Sequence, residues 1–138
     1  MEKIRLSQAA SKVASDARIE ILRMTHASGA SHVASALSVV DILAVLYSGF
    51  LKISPKSTKD PNRDVVIVSK GHAAAALYAV LGICGFFPKD QLENYCKNGA
   101  TIGGHVTSQS VNGVELSTGS LGHGLPYGLG IEIGRAHV

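Results

Sequence analysis

The sequence predicts an α/β, three-layer fold that is helix-rich with few strands and incomplete within this chain. Apolar residues recur at helical spacing over much of its length. One β-branched run, Val65-Val66-Ile67-Val68, is apolar at every position, the pattern of a strand covered on both faces. Such a strand needs neighbouring strands and a covering layer on each side. The sequence supplies helices for the layers but hardly any further sheet, so either further strands go unmarked by the pattern or the fold needs chain beyond this one.

The elements follow in order. Over residues 7–27, Ala10, Val13, Ala14, Ala17, Ile21 and Met24 recur at helical spacing with polar residues between them, which predicts an amphipathic helix. A second helix is expected from Ser38, where Ser38 and Asp41 resemble a capping box, through Ile42, Leu43, Val45 and Leu46 to near Gly49. It is apolar nearly all round, so it should lie buried. A polar loop over residues 52–64 leads to the expected strand, and Ser69-Lys70-Gly71-His72 form the turn after it. Residues 73–84 read as another helix. Pro88 suits the first position of the next one, which Asn98-Gly99 would close with a glycine C-cap. Residues 100–120, rich in Gly, Ser and Thr, are expected to be irregular. A last helix should run from around Gly124 toward Gly134.

Composition narrows the class. A chain of 138 residues is long enough for one compact domain and short for two. With 46% hydrophobic and 17% charged residues it does not resemble a disordered chain. The formal charge is +3, but the densest basic stretch, Lys52, Lys56, Lys59 and Arg63, is interrupted by Asp60 and Asp64. There is no basic stripe with stacking aromatics, so no nucleic-acid partner is expected. No secretory signal is evident, and the apolar run over residues 39–50 is shorter than the ~20 residues a bilayer span needs. Cys84 and Cys96 have no framework spacing and read as reduced thiols. A soluble, cytoplasmic protein without membrane partners is expected.

Two places could carry chemistry. His72 follows directly on the expected strand, at its carboxyl end, the edge where ligands bind in open α/β sheets. An imidazole there could donate to a phosphate or carry a proton near neutral pH; equally, it could cap the next helix or face solvent. Gly119-Ser120-Leu121-Gly122-His123-Gly124 could turn backbone N–H groups and a helix N-terminus toward an anion, or could be a plain loop-to-helix junction. His32, His72, His105 and His123 could converge only through tertiary folding. No Cys-x-x-Cys pair exists and no two histidines stand three to five residues apart, so no metal site is indicated.

Taken together these stretches resemble, in order, the N-terminal part of the transketolase family. Arg23-Met24 through Ala27-Ser28-Gly29, Ser31-His32 and Leu37-Ser38 resemble the family's opening segment, continued by Asp41-Ile42-Leu43-Ala44-Val45-Leu46-Tyr47. Arg63-Asp64, Val68-Ser69-Lys70-Gly71-His72-Ala73 and Leu77-Tyr78 resemble its strand and Ser-Lys-Gly-His-Ala turn. Gly103-Gly104-His105, Gly113-Val114-Glu115 and Ser117-Thr118-Gly119-Ser120-Leu121-Gly122-His123-Gly124-Leu125 continue the match over nearly the whole chain.

The resemblance implies a thiamine diphosphate-binding fold of the pyrophosphate type, with residues 1–138 forming part of that domain. It implies ketol transfer between sugar phosphates, in a complete enzyme that is an oligomer. His72 would contact the cofactor diphosphate, with Gly119, Ser120, Leu121 and His123 as further cofactor contacts. His32 and His105 would be catalytic, hydrogen-bonding the donor ketose and helping to move its protons. This chain departs from the family in reading Ser31-His32-Val33-Ala34-Ser35 where Gly-His-Pro-Gly-Gly is usual, and Val106-Thr107-Ser108 after His105. Position 123 carries His where many members have Gln, though smaller split forms also use His. The Gly-Asp-Gly motif and downstream Asn that hold the divalent metal, and the glutamate that activates the aminopyrimidine, are not in the sequence. Mg²⁺ ligands are therefore expected outside this chain, in a complementary C-terminal segment or subunit, and the chain alone is expected to be inactive. A non-catalytic truncated or assembly module, and a histidine-lined metal- or phosphate-binding protein, are the competing readings.

Overall fold

The computed structural model describes residues 2–137. Helix α1, Glu2–Ser28, carries the predicted amphipathic stripe, with Ala10, Ala14, Ala17, Ile21 and Met24 all buried. Small residues on that stripe let α1 lie close against α3 (Val40–Val45) and α4 (Ala74–Ile83). At its end the Thr25 and Ser28 hydroxyls donate to the carbonyls of Ile21 and Met24, each at 2.7 Å. Gly29 then turns the chain with φ 65°, a left-handed conformation that glycine adopts without a Cβ clash.

The single second helix expected from Ser38 is instead broken. Helix α2, Val33–Leu37, ends at Ser38, α3 follows, and a π-helical turn, Leu46–Phe50, closes the segment at Gly49. Ser38 does not cap a helix start: its hydroxyl donates to the Ser35 carbonyl at 2.8 Å and accepts from Lys70. Asp41 is drawn to Arg18 on α1 instead of completing a capping box. Nor is the segment buried all round. Val40, Leu43 and Ala44 face the core, whereas Ile42, Val45 and Phe50 are exposed.

The strand expected at Val65–Val68 does not form, and no strand occurs among the described residues. A strand is defined by its ladder, and this run has no partner backbone to exchange hydrogen bonds with. Its side chains are nonetheless shared between two layers. Val66 and Val68 pack against the core around α1 and α4, while Ile67 lies against α5 (Gly124–Arg135). A Cβ added at Gly124 would stand 3.0 Å from the Ile67 Cγ2 methyl and 2.7 Å from Ser69 Cβ, so only glycine lets α5 approach this closely.

Helix α4 is the centre of the molecule, with every residue from Ala74 to Gly82 buried. A 3₁₀ turn, Gly71–Ala73, leads into it. After Pro88 the chain forms only a 3₁₀ turn, Lys89–Asn94, not a helix reaching residue 98. Burial of Leu92 and Tyr95 pulls the chain inward there, and the Cys96 amide bonds to the Ile102 carbonyl at 3.0 Å, ending helical continuation. The segment 100–120 is irregular, as its composition predicts, and α5 begins at Gly124 as expected. Leu125, Leu129 and Ile133 of α5 are exposed. No helix among the described residues is long and apolar enough to cross a membrane.

Candidate functional site

Three separate segments are tied together at the carboxyl end of residues 65–68. The Thr118 hydroxyl donates to the Val68 carbonyl at 2.7 Å. The Val106 amide donates to the Gly71 carbonyl at 3.1 Å, and the Thr118 amide to the Val106 carbonyl at 3.0 Å. Gly71 lies directly against the Thr118 carbonyl and the Gly119 amide, with no room for a Cβ between them. Ser69 completes the junction: its hydroxyl accepts the Gly124 amide at 3.0 Å, satisfying one of the free donors at the start of α5.

This weave gathers the histidines. The rings of His32 and His72 have centroids 5.2 Å apart, and those of His32 and His105 are 5.9 Å apart in an edge-to-face arrangement. A Cβ on Gly119 would stand 3.7 Å from His105 Cδ2, so the glycine turn borders the same cluster. His32 precedes α2 with φ 73° and ψ 19°, a left-handed conformation for a residue with a Cβ. Such a conformation is retained only where the surroundings hold it. His105 is positioned from below by Tyr78 on α4. The buried Tyr78 hydroxyl donates to the His105 carbonyl at 3.3 Å and accepts from the Thr107 amide at 3.3 Å and the Ser110 hydroxyl at 3.2 Å.

Desolvation, followed by the charges of His32, Lys70 and His105, holds the His72 pKa below the ordinary imidazole value. The ring is therefore neutral at pH 7, with one nitrogen a donor and the other an acceptor. In the glycine turn, the amides of Gly119, Ser120, Leu121 and Gly122 donate to no protein acceptor among the described residues, and Ser120 and Leu121 are exposed. His123 is turned back on its own loop, its Nδ1 2.6 Å from the Ser120 carbonyl and its Nε2 3.4 Å from that of Ser117. Among the described residues no group of three His, Cys, Asp or Glu side chains could hold a metal ion. A groove of about 370 Å³ between α1 and α3 is lined by Leu6, Ala10, Ala14 and Val45, and its one carboxylate, Asp41, is paired with Arg18.

The structure thus brings His32, His72, His105 and Gly119 together, with Ser120 and Leu121 on the adjoining turn and His123 bracing it. Ser69, Lys70, Tyr78 and Thr118 join them as supports to which the sequence alone assigns no role. Tyr78 carries a signal all the same, since a tyrosine inside an otherwise apolar helix must find a partner for its hydroxyl.

The family model for the transketolase thiamine diphosphate binding domain matches residues 9–138. An apulose-4-phosphate transketolase subunit of Actinobacillus succinogenes is 40% identical over 116 residues, covering 84% of this chain and 42% of that protein. The transketolase of Pongo abelii is 37% identical over 131 residues, 94% of this chain and 20% of that protein. Among solved structures, the transketolase from Leishmania mexicana superposes with a TM-score of 0.81 at 27% identity, over 88% of this chain and 18% of that one. The chain thus spans less than half the length of each of these relatives. With the match extending over residues 9–138 and a shared fold, this chain belongs to the transketolase family, as part of its thiamine diphosphate-binding domain.

Proposed function

We propose that the chain is the N-terminal, cofactor-binding part of a transketolase-like transferase that moves a two-carbon ketol unit between sugar phosphates. The observation that carries this reading is the meeting of His32, His72 and His105 beside a glycine turn with free amides.

The residues present fit a diphosphate. The Gly119–Gly122 amides, unpaired among the described residues, and the neutral His72 ring supply hydrogen-bond donors, and the start of α5 adds the positive end of a helix dipole. When bound, thiamine diphosphate supplies the carbon nucleophile that accepts the two-carbon unit. His72 and the turn amides hold the diphosphate oxygens. Leu121 contacts the cofactor body, and His123 keeps the turn in shape. His32 and His105 hydrogen-bond the donor ketose near its carbonyl and first hydroxyl, and take up and return protons. Mg²⁺ would be held by ligands outside this chain, since two phosphate charges facing neutral groups bind weakly.

A complementary segment or subunit supplies those ligands, the aminopyrimidine-activating glutamate and the strands that pair with residues 65–68 in a three-layer domain. The assembly is an oligomer acting on sugar phosphates in the cytoplasm. Support comes from relatives that are themselves named as one subunit of a transketolase. The test is a ketol-transfer assay with thiamine diphosphate, Mg²⁺, a ketose phosphate and an aldose phosphate. No turnover is expected from the purified chain, and turnover is expected once the complementary segment is added. Turnover by the chain alone would contradict the division of labour; a cofactor-loaded complex without transfer would contradict the function.

A further inference from the structure

Lys70 stands out among the residues around the histidine cluster that the functional reading leaves without a role. Its ammonium group reaches across to α2, donating to the Ser38 hydroxyl at 2.9 Å and to the Ser35 carbonyl at 3.3 Å. Helix α2 is a single short turn and cannot hold its own position. Yet His32, at its start, keeps a left-handed backbone that an L-residue adopts only at a cost. No side chain caps that start. Lys70 is also two residues from His72, on the turn clamped by Gly71 and Thr118.

We infer that Lys70 is a positioning residue: by tying α2 to the 69–72 turn it sets the spacing between His32 and His72. This rests on the proposed function for its consequence, because the spacing matters when one imidazole holds a diphosphate and the other a sugar hydroxyl. The geometric claim stands apart from it. The ammonium is also close enough to disfavour a charge on His72, with His32 and His105 the other titratable neighbours that do so. Arginine in its place would keep both the donors and the charge; methionine would keep only the stem.

The test uses the full chain, with Lys70→Met, Lys70→Arg and Ser38→Ala, read by NMR of the histidine rings and by calorimetry with inorganic pyrophosphate. Lys70→Met should abolish the ring-to-ring contact between His32 and His72 and raise the His72 titration midpoint, since a neighbouring positive charge is gone. Pyrophosphate affinity should fall about tenfold, the loss of one charge-assisted bond's worth of order. Lys70→Arg should restore all three readouts. Ser38→Ala, at an exposed position, should weaken the ring contact without moving the His72 midpoint. It decides the matter if Lys70→Met does not fold. An unchanged ring contact in Lys70→Met, or no rescue by arginine, would overturn the inference. Absence of pyrophosphate binding to the unsubstituted chain would instead count against the diphosphate site, with the ring contacts still deciding the role of Lys70.

Discussion

Gly71 and Thr118 are in direct backbone contact, with the Thr118 carbonyl filling the space a Cβ on Gly71 would need. That contact sets the turn carrying His72 against the turn carrying Gly119. Through the Val106 amide on the Gly71 carbonyl, it also fixes the strip that carries His105. The requirement for glycine here is steric and not conformational, because the obstacle is backbone, which cannot swing aside.

Gly71→Ala should therefore destabilise the chain by about 1–3 kcal/mol, the range for overpacking a close contact. Urea unfolding would measure it. A change within about 0.5 kcal/mol, the size of a tolerated surface substitution, would mean that the two backbones can part without cost.

Thr118→Val removes the hydroxyl that donates to the Val68 carbonyl and keeps the shape of the side chain. The expected loss is about 1–2 kcal/mol, with a carbonyl left without that donor. Hydrogen exchange should quicken at the bonded amides of Val106 and Thr118 before it does in α4, because this junction is held by few bonds and the helix by the core.

Tyr78→Phe tests the hub beneath His105. The hydroxyl joins the His105 carbonyl, the Thr107 amide and the Ser110 hydroxyl. Its removal should cost about 1–3 kcal/mol and free the 105–110 loop. Ring signals of His105 should broaden while those of His123, on another loop, stay sharp. Equal disturbance at both would point to general loosening.

The depressed pKa of His72 has a consequence for stability. Its folded value lies below the unfolded one of about 6.5. The unfolded state thus binds the proton more tightly, so stability rises with pH through the interval between the two values and is flat above it. Below about 6.5 the folded chain should lose stability as a cation is forced beside Lys70, His32 and His105. His72→Asn should flatten that part of the profile, measured by unfolding midpoints from about pH 5 to 8, a range that brackets the imidazole titration. A slope unchanged by the substitution would assign the effect to other groups.

How far the sequence can be read depends on the kind of interaction involved. Helix α1 is legible because its buried alanines fall on one face, and α5 because a glycine turn marks its start. The irregular 100–120 segment is legible in its Gly, Ser and Thr content. The run Val65–Val68 is apolar on both sides as its composition implies, with Val66 and Val68 facing one layer and Ile67 the other, but periodicity carries no information about ladder partners. The break at Ser38 is hidden because Lys70 and Arg18, distant in sequence, take the groups that would have capped a longer helix. At the site, His32, His72, His105 and Gly119 are identifiable by type and motif. Their supports, Tyr78, Thr118 and Lys70, act through hydrogen bonds between residues more than 25 apart, which no local pattern announces.

The most direct measurement is an NMR titration of the isotope-labelled chain with thiamine diphosphate, and with pyrophosphate as the smaller probe. The amides of Gly119, Ser120, Leu121 and Gly122 and the ring of His72 should shift together along one binding curve, with His32 and His105 responding and α1 silent. Shifts confined to other surfaces, or turn amides that move while His72 does not, would contradict a diphosphate cradle built from these residues.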